Sequence, residues 1–407
     1  MHRPGIIAFV ALLVCSCNAP DAAVGVASTP KFTSAARADL GTLGGASSYA
    51  ADINSGNTVV GWSETLGGGT HAFRWSAADG MVDLGTLPGD AASRAVAVLD
   101  GGQILGVSGD VDRWTAVTWS ASGSISALQI PLIPGFTTVL PSAFNARGDV
   151  VGSDAGGFQH GWFWSATSGK HDLSANIEGS TEGAATAVNA AGLVVVTTST
   201  NTCSHTPQCW RTYLWTQAAG YRPLGIPGTD REANVTGLAL NETGTVAGWI
   251  TSGTASGATP YRWAPGTGFT ILANYSSESS RYGYGTAVSS NGTVVGADFD
   301  PASGSIVASK WLGNGAIVKL SPDDPNPSVA VAINSQGAIA GWAAVSSGVN
   351  HAVIWQPSSQ ASRMDMRAPN SAPARVSTAS APCLANARSI VSRQALFACV
   401  VEADRRR

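Results

Sequence analysis

Charge is scarce in this 407-residue chain: Asp, Glu, Lys and Arg together make up only 12%. Its 23 basic and 26 acidic residues leave a net charge of -3, without the basic excess a general nucleic-acid binder needs to neutralise phosphates. Six cysteines are too few for a disulfide-built scaffold of this length. The apolar run at the start, from Ile6 to Val14, is too short to cross a bilayer as a helix. The common catalytic motifs are absent. There is no His-Glu-x-x-His, no Gly-x-Ser-x-Gly elbow and no phosphate-cradling Walker loop, and no cofactor or metal is implied.

What the chain does have is glycine, 48 of them, and 44% hydrophobic residues. Abundant turn formers and few helix formers favour an all-β protein with a real core. The tryptophans reveal a repeat. Trp75, Trp119, Trp164, Trp215, Trp263, Trp311 and Trp355 are spaced by 44, 45, 51, 48, 48 and 44 residues. Upstream of each stands a turn opening on Asn54, Leu99, Asn145, Asn189, Asn241, Ser289 or Asn334. Three residues later come Asn57, Gly102, Gly148, Gly192, Gly244, Gly292 and Gly337, the chemistry of a type I turn entering a left-handed residue. Four further on stand Gly61, Gly106, Gly152, Val196, Gly248, Gly296 and Gly341. Small residues precede the turn in six repeats, Ala97, Ala143, Ala187, Ala239, Ala287 and Ala332, with Asp52 in the first.

Each repeat then holds four short strands, typified by Thr58-Val59-Val60-Gly61 and His71-Ala72-Phe73-Arg74-Trp75. Four strands repeated seven times at about 47 residues predict a seven-bladed β-propeller of four-stranded antiparallel blades over residues 39–366. Ala38-Asp39-Leu40 matches a fourth strand with no repeat before it, and Arg363 to Met366 matches one less well, so the N-terminal strand is expected to complete the last blade.

Asp39-Leu40-Gly41-Thr42-Leu43-Gly44-Gly45, the Ile53-Asn54 turn, Val59-Val60-Gly61 and His71-Ala72-Phe73-Arg74-Trp75 resemble the extracellular HAF repeat family. The resemblance covers residues 39–366, is strongest in repeats 1, 3 and 7, and implies an exported propeller-like architecture without specifying an activity.

The ends carry separate signals. Arg3, the apolar run and Val14-Cys15-Ser16-Cys17 resemble a bacterial lipoprotein signal over residues 1–16. That resemblance implies a lipid on Cys17, a membrane anchor, and export to the outer membrane or cell surface. Residues 17–38 read as a flexible tether. In an oxidising compartment, Cys203 with Cys209 and Cys383 with Cys399 read most simply as local disulfides, with a metal site around His205 the weaker alternative. Residues 367–407 form a Ser/Ala/Pro-rich basic tail, and from residue 358 onward there are eight arginines against three acids.

Alternate connections in such a blade lie on opposite faces, and loops of variable length carry function more often than uniform turns. The candidate ligand site therefore lies on the face of the variable loops: Asp90, Arg94, Glu182, Trp210, Asp230, Arg231, Arg281, Asp323 and Asp324. Acids outnumber bases there, which suits a cation or a basic partner. Trp62, Trp249 and Trp342 either stack on sugars or are buried between blades. His71, His160 and His351 are expected to hydrogen-bond between blades, and Asp298 and Asp300 give a weak calcium-loop pattern. The expected function is a monomeric cell-envelope binding or scaffold protein for a protein or glycan ligand, without nucleic acid. The alternative is a carbohydrate-active hydrolase or lyase using carboxylates at the channel mouth.

Overall fold

The computed structural model describes residues 36–357, apart from 111–112, 156–158, 202, 204–208, 229–231, 253–256 and 277–281. Its regular structure is all strand: seven antiparallel sheets of four, six built from four consecutive strands and the seventh from the last three strands with the N-terminal one. The first strands, such as Gly44–Ile53, Ala92–Val98 and Ser328–Ile333, touch one another all the way round and line the axis. The protein is a seven-bladed β-propeller.

The glycine column has a steric cause. In every blade the first strand carries a bulge opposite the second, between Ala50 and Asp52 in blade 1 and between Gly285 and Ala287 in blade 6, for example. The bulge drives a first-strand carbonyl against the second-strand Cα. A Cβ at Gly61 would lie 2.0 Å from the Tyr49 oxygen, and one at Gly296 would lie 1.8 Å from the Tyr284 oxygen. Val196 occupies this place in blade 4, paired with Ala185, and nothing in the structure explains that exception.

The turn asparagines do more than shape turns. Asn57 has φ 61°, and the equivalent glycines are also left-handed, as expected. The side-chain oxygen of Asn241 accepts the amides of Thr243 and Thr245, while its Nδ2 donates to the carbonyl of Ser289 in the next blade at 2.9 Å. Asn54 reaches Leu99 in the same way, Asn145 reaches Asn189, Asn189 reaches Asn241, and Asn334 reaches Asn54. A belt of amide-to-carbonyl bonds thus links five of the seven blade junctions. It lacks its donor where Leu99 and Ser289 replace Asn. Asp52, the exception in the alanine column, accepts the Val98 amide of blade 2.

The hydrophobic core is divided into layers between blades. One layer joins Val60 and Ala72 of blade 1 to Ala95, Ile104 and Trp119 of blade 2. Trp119 donates its indole N–H back to the Leu84 carbonyl of blade 1. The recurring Asp-Leu pair, followed by Gly41, Gly85 or Ser174, is explained in the same region. Leu40, Leu84 and Leu173 are buried. The preceding aspartates accept a turn amide on one oxygen, as Asp83 does from Gly85. Their other oxygen holds the third-strand histidine: His71 with Asp83, His160 with Asp172, His351 with Asp39. These are bonds within a blade, between its third and fourth strands, and not between blades as the sequence suggested. The histidine and aspartate face each other because they share one sheet face, one register step apart.

The ring is closed by the N-terminal strand. Ala36–Asp39 pairs antiparallel with Val349–Gln356 and supplies the fourth strand of blade 7. Arg37 of this strand forms an ion pair with Asp324, in the loop that enters blade 7. Arg363 to Met366 lie outside the described residues.

Candidate functional site

The loops joining second to third strands, and those joining one blade to the next, share the face opposite the asparagine turns. On this face, at the axial end of the blade 1–2 junction, the structure assembles a cluster from three strands. Arg94 lies on the first strand of blade 2 and is exposed. Its guanidinium stands 5.7 Å from the ring of Trp62, on the second strand of blade 1. It stands 5.3 Å from Trp114, which opens the third strand of blade 2. Both tryptophans are half-buried. Trp62 stacks on Tyr49 at 5.7 Å, and Tyr49 meets Trp342 of blade 7 edge-on at 6.0 Å. An aromatic ladder therefore runs round the ring from Trp342 of blade 7 through blade 1 to Arg94 and Trp114 of blade 2. Exposed apolar side chains lie at loop tips of the same sector, Leu66 in blade 1 (87% exposed) and Val345 in blade 7.

The ladder also explains the second-strand tryptophans. Each is covered by the first strand of the following blade: Trp342 by Tyr49, Trp249 by Tyr284, and Trp62 by Arg94. Trp249 and Trp342 are buried and offer no face to a sugar, whereas Trp62 keeps part of its surface because an arginine replaces the tyrosine.

The other expected site residues are dispersed. Arg94 and Glu182 belong to first strands and not to loops, since those strands begin earlier than the repeat pattern implied. Glu182 is half-buried, and burial raises its carboxyl above the usual range. Asp90 accepts a hydrogen bond from Ser108. Asp323 is exposed, while Asp324 is taken by Arg37 and caps its own loop at Asn326. Trp210 does not protrude. It is 7% exposed, packs on Ala184 and is held through its amide by Asn234. The Cys203–Cys209 disulfide is formed, with Cα atoms 6.1 Å apart. Asp230, Arg231, Arg281, Cys17, Cys383, Cys399 and His205 lie outside the described residues.

Asp298 and Asp300 are committed elsewhere. Asn274 and the Tyr275 amide occupy Asp298, and Lys319 and Ser303 occupy Asp300. Among the described residues no cluster of His, Cys, Asp and Glu could hold a metal ion. The described first strands bring two carboxylates to the axis, Asp52 and Glu182. Asp52 occupies the register place of Ala187, five residues beyond Glu182, so the two differ in height by roughly 15 Å. That exceeds the roughly 5–10 Å between the carboxyls of a glycosidase pair. On the opposite face, a groove of about 290 Å³ runs between the turns of blades 4 and 5. Its two charged residues are already engaged, Glu242 by the Ala190 amide and Arg222 over Trp263.

The class defined by fold and closure is a seven-bladed propeller with its last blade completed by the N-terminal strand. No family model and no curated protein matches the sequence. Solved structures do match its fold. A streptogramin B lyase is 10% identical over 79% of this chain and 98% of its own, with TM-score 0.49. The β-propeller domain of the Trilobed protease from Pyrococcus furiosus, described as an open velcro topology, is 10% identical over 76% and 93%, with TM-score 0.51. A puromycin-hydrolyzing peptidase of Mycobacterium tuberculosis is 13% identical over 77% of this chain and 51% of its own, with TM-score 0.53. At these identities the likeness is one of fold alone.

Trp114 and Leu66 were not singled out from the sequence. Trp114 stands outside the two tryptophan columns of the repeat, and that irregularity was the available signal.

Proposed function

We propose that this chain is an exported binding propeller of the cell envelope, anchored through a lipid on Cys17, that holds a protein or glycan ligand on its variable-loop face. The observation that carries the reading is the exposed Arg94 set between Trp62 and Trp114 at the axial end of that face. Arginine and tryptophan dominate binding hot spots because they combine a large apolar surface with directed polar contacts. The rings hold the guanidinium in place, so little side-chain entropy is lost when it meets a carboxylate or sulfate of a ligand. Repeats that resemble exported HAF repeats, together with the lipoprotein-like start, support the location.

The test is a glycan array and an envelope-extract capture with the mature chain, each hit titrated against variants. Arg94→Ala and Trp114→Ala are predicted to weaken a true ligand at least about tenfold, the loss of roughly one charge-assisted contact. Arg74→Ala, on the opposite face beside Ala121, is predicted to leave it unchanged. Ligands indifferent to Arg94 and Trp114 would overturn the site.

A further inference from the structure

We infer that Lys170 and Asp154 of blade 3 are the two halves of a self-formed amide cross-link, a covalent modification site joining the fourth strand of the blade to its second. Register places Asp154 opposite His160 and Trp162 opposite Asp172, so Asp154, His160, Trp162, Lys170 and Asp172 all project from one sheet face. The Lys170 Nζ lies 2.5 Å from Asp154 Oδ2. The two side chains are 6% and 0% exposed, the most enclosed ion pair among the described residues. The ammonium sits 4.8 Å over the buried ring of Trp162. Asp154 Oδ2 also accepts the Ile133 amide, and Lys170 also donates to the Pro131 carbonyl. Asp154 Oδ1 is buried with no hydrogen-bond partner among the described residues.

That arrangement is poor for an ion pair and good for an amide. A buried carboxylate with one oxygen left dry is costly, and the interaction between the charges seldom repays their desolvation. Burial pushes the Lys170 ammonium towards its neutral form, although the hydrogen bond and charge of Asp154 and the charge of Asp172 oppose this. A neutral amine is a nucleophile. Within the pair one ammonium proton passes to the Asp154 carboxylate; the amine lone pair then attacks Cγ, a C–N bond forms, a C–O bond breaks, and one water leaves. The amine gives up one proton to the departing hydroxyl, so no oxidant or other reactant is needed. His160, held by Asp172 through Nδ1 at 3.1 Å, stands opposite Asp154 as the group that passes this proton. The product is uncharged, its N–H can keep the Pro131 carbonyl, and its single oxygen can keep the Ile133 amide.

Two other blades serve as an internal comparison. Ser63 and Ser108 occupy the same place as Asp154 in blades 1 and 2. Each accepts a loop amide, from Leu43 and from Leu87, as Asp154 does from Ile133. Holding the loop therefore requires only a hydroxyl, and the carboxyl with its buried lysine is additional.

The experiment is a tryptic map of the full chain, fully denatured, reduced and alkylated. Trypsin cannot cleave after an acylated lysine, so the expected product is one peptide spanning residues 148–211, one water lighter than its sequence. Lys170→Arg keeps the charge but is expected not to condense, and should restore cleavage at that position and the missing mass. Asp154→Ala should restore cleavage after Lys170. Because the readout is covalent, neither variant has to be stable for the comparison to hold. If the bulk of the unmodified chain is cleaved after Lys170, giving 148–170 and 171–211 at full mass, the proposal is overturned.

Discussion

Replacing Asn241 tests the asparagine belt most directly. Asn241 is 7% exposed, and its two side-chain atoms do different work. The oxygen accepts the Thr243 and Thr245 amides at 3.0 and 2.9 Å, bonds local to one turn. The nitrogen donates to Ser289 of the next blade at 2.9 Å. We predict that Asn241→Ala, which orphans three backbone groups at a half-solvated turn, costs about 3 kcal/mol. In a domain of this size that is a fall in Tm of roughly 4–5 °C. Asn241→Asp separates the two roles, since it keeps an acceptor for the turn but sets a carboxylate oxygen against the Ser289 carbonyl. It should cost about 2 kcal/mol through the blade junction alone. The converse change, Ser289→Asn, supplies a missing donor towards the Asn334 carbonyl and should add about 1 kcal/mol. Urea and thermal unfolding of the three variants provide the measurement. An Asn241→Asp variant as stable as the parent would refute the inter-blade role and leave the asparagines as turn formers only.

Two further predictions concern the closing strand and the disulfide. Asp39 holds His351 above its ordinary value of about 6.5, so the stability this pair gives is complete below that pH and fades as pH rises through the raised value. Burial pushes Asp39 up, but the hydrogen bonds from His351 and Gly41 and the nearby charges of His351 and Arg37 leave it lowered. Its contribution is therefore present above about pH 3.8 and is lost as pH falls through the lowered value. We predict that blade 7 is firmest between about pH 4 and 6.5, and that His351→Gln removes the decline in Tm on the alkaline side. Equal pH profiles for the two proteins would sink this. Opening the Cys203–Cys209 loop with paired serines should cost about 2 kcal/mol, the loop-closure entropy of a short ring. An unchanged urea midpoint under oxidising conditions would count against it.

The architecture was legible because a propeller repeats its requirements. Every blade must turn tightly after its first strand, so Asn57 and six glycines recur at one left-handed place. Every bulge presses a carbonyl on its neighbour, so Gly61 and its equivalents recur without side chains. The N-terminal closure was legible for the same reason, since Asp39-Leu40-Gly41 repeats Asp83-Leu84-Gly85 and has no blade of its own before it. The site was less legible. Arg94 looked like one loop charge among several, and its meaning comes from Trp62 and Trp114, which are 32 and 20 residues away along the chain. Trp210 looked like an anchor on a stapled loop, but the Cys203–Cys209 bridge ends where the third strand begins, and pairing turns that indole inward onto Ala184.

The sequence by itself determined the number of blades and the four strands of each, because these are set by local turn chemistry and strict periodicity, and it favoured the Cys203–Cys209 bridge and closure by the N-terminal strand. Only the tertiary structure decided which side chain of one blade meets which of the next. It turned His71 to Asp83 within its own blade, Asn241 to Ser289 across a junction, Arg94 between two tryptophans, and Lys170 onto a dry carboxyl oxygen. Those meetings depend on the angle and register at which radial sheets pack, and no spacing along a single chain encodes them.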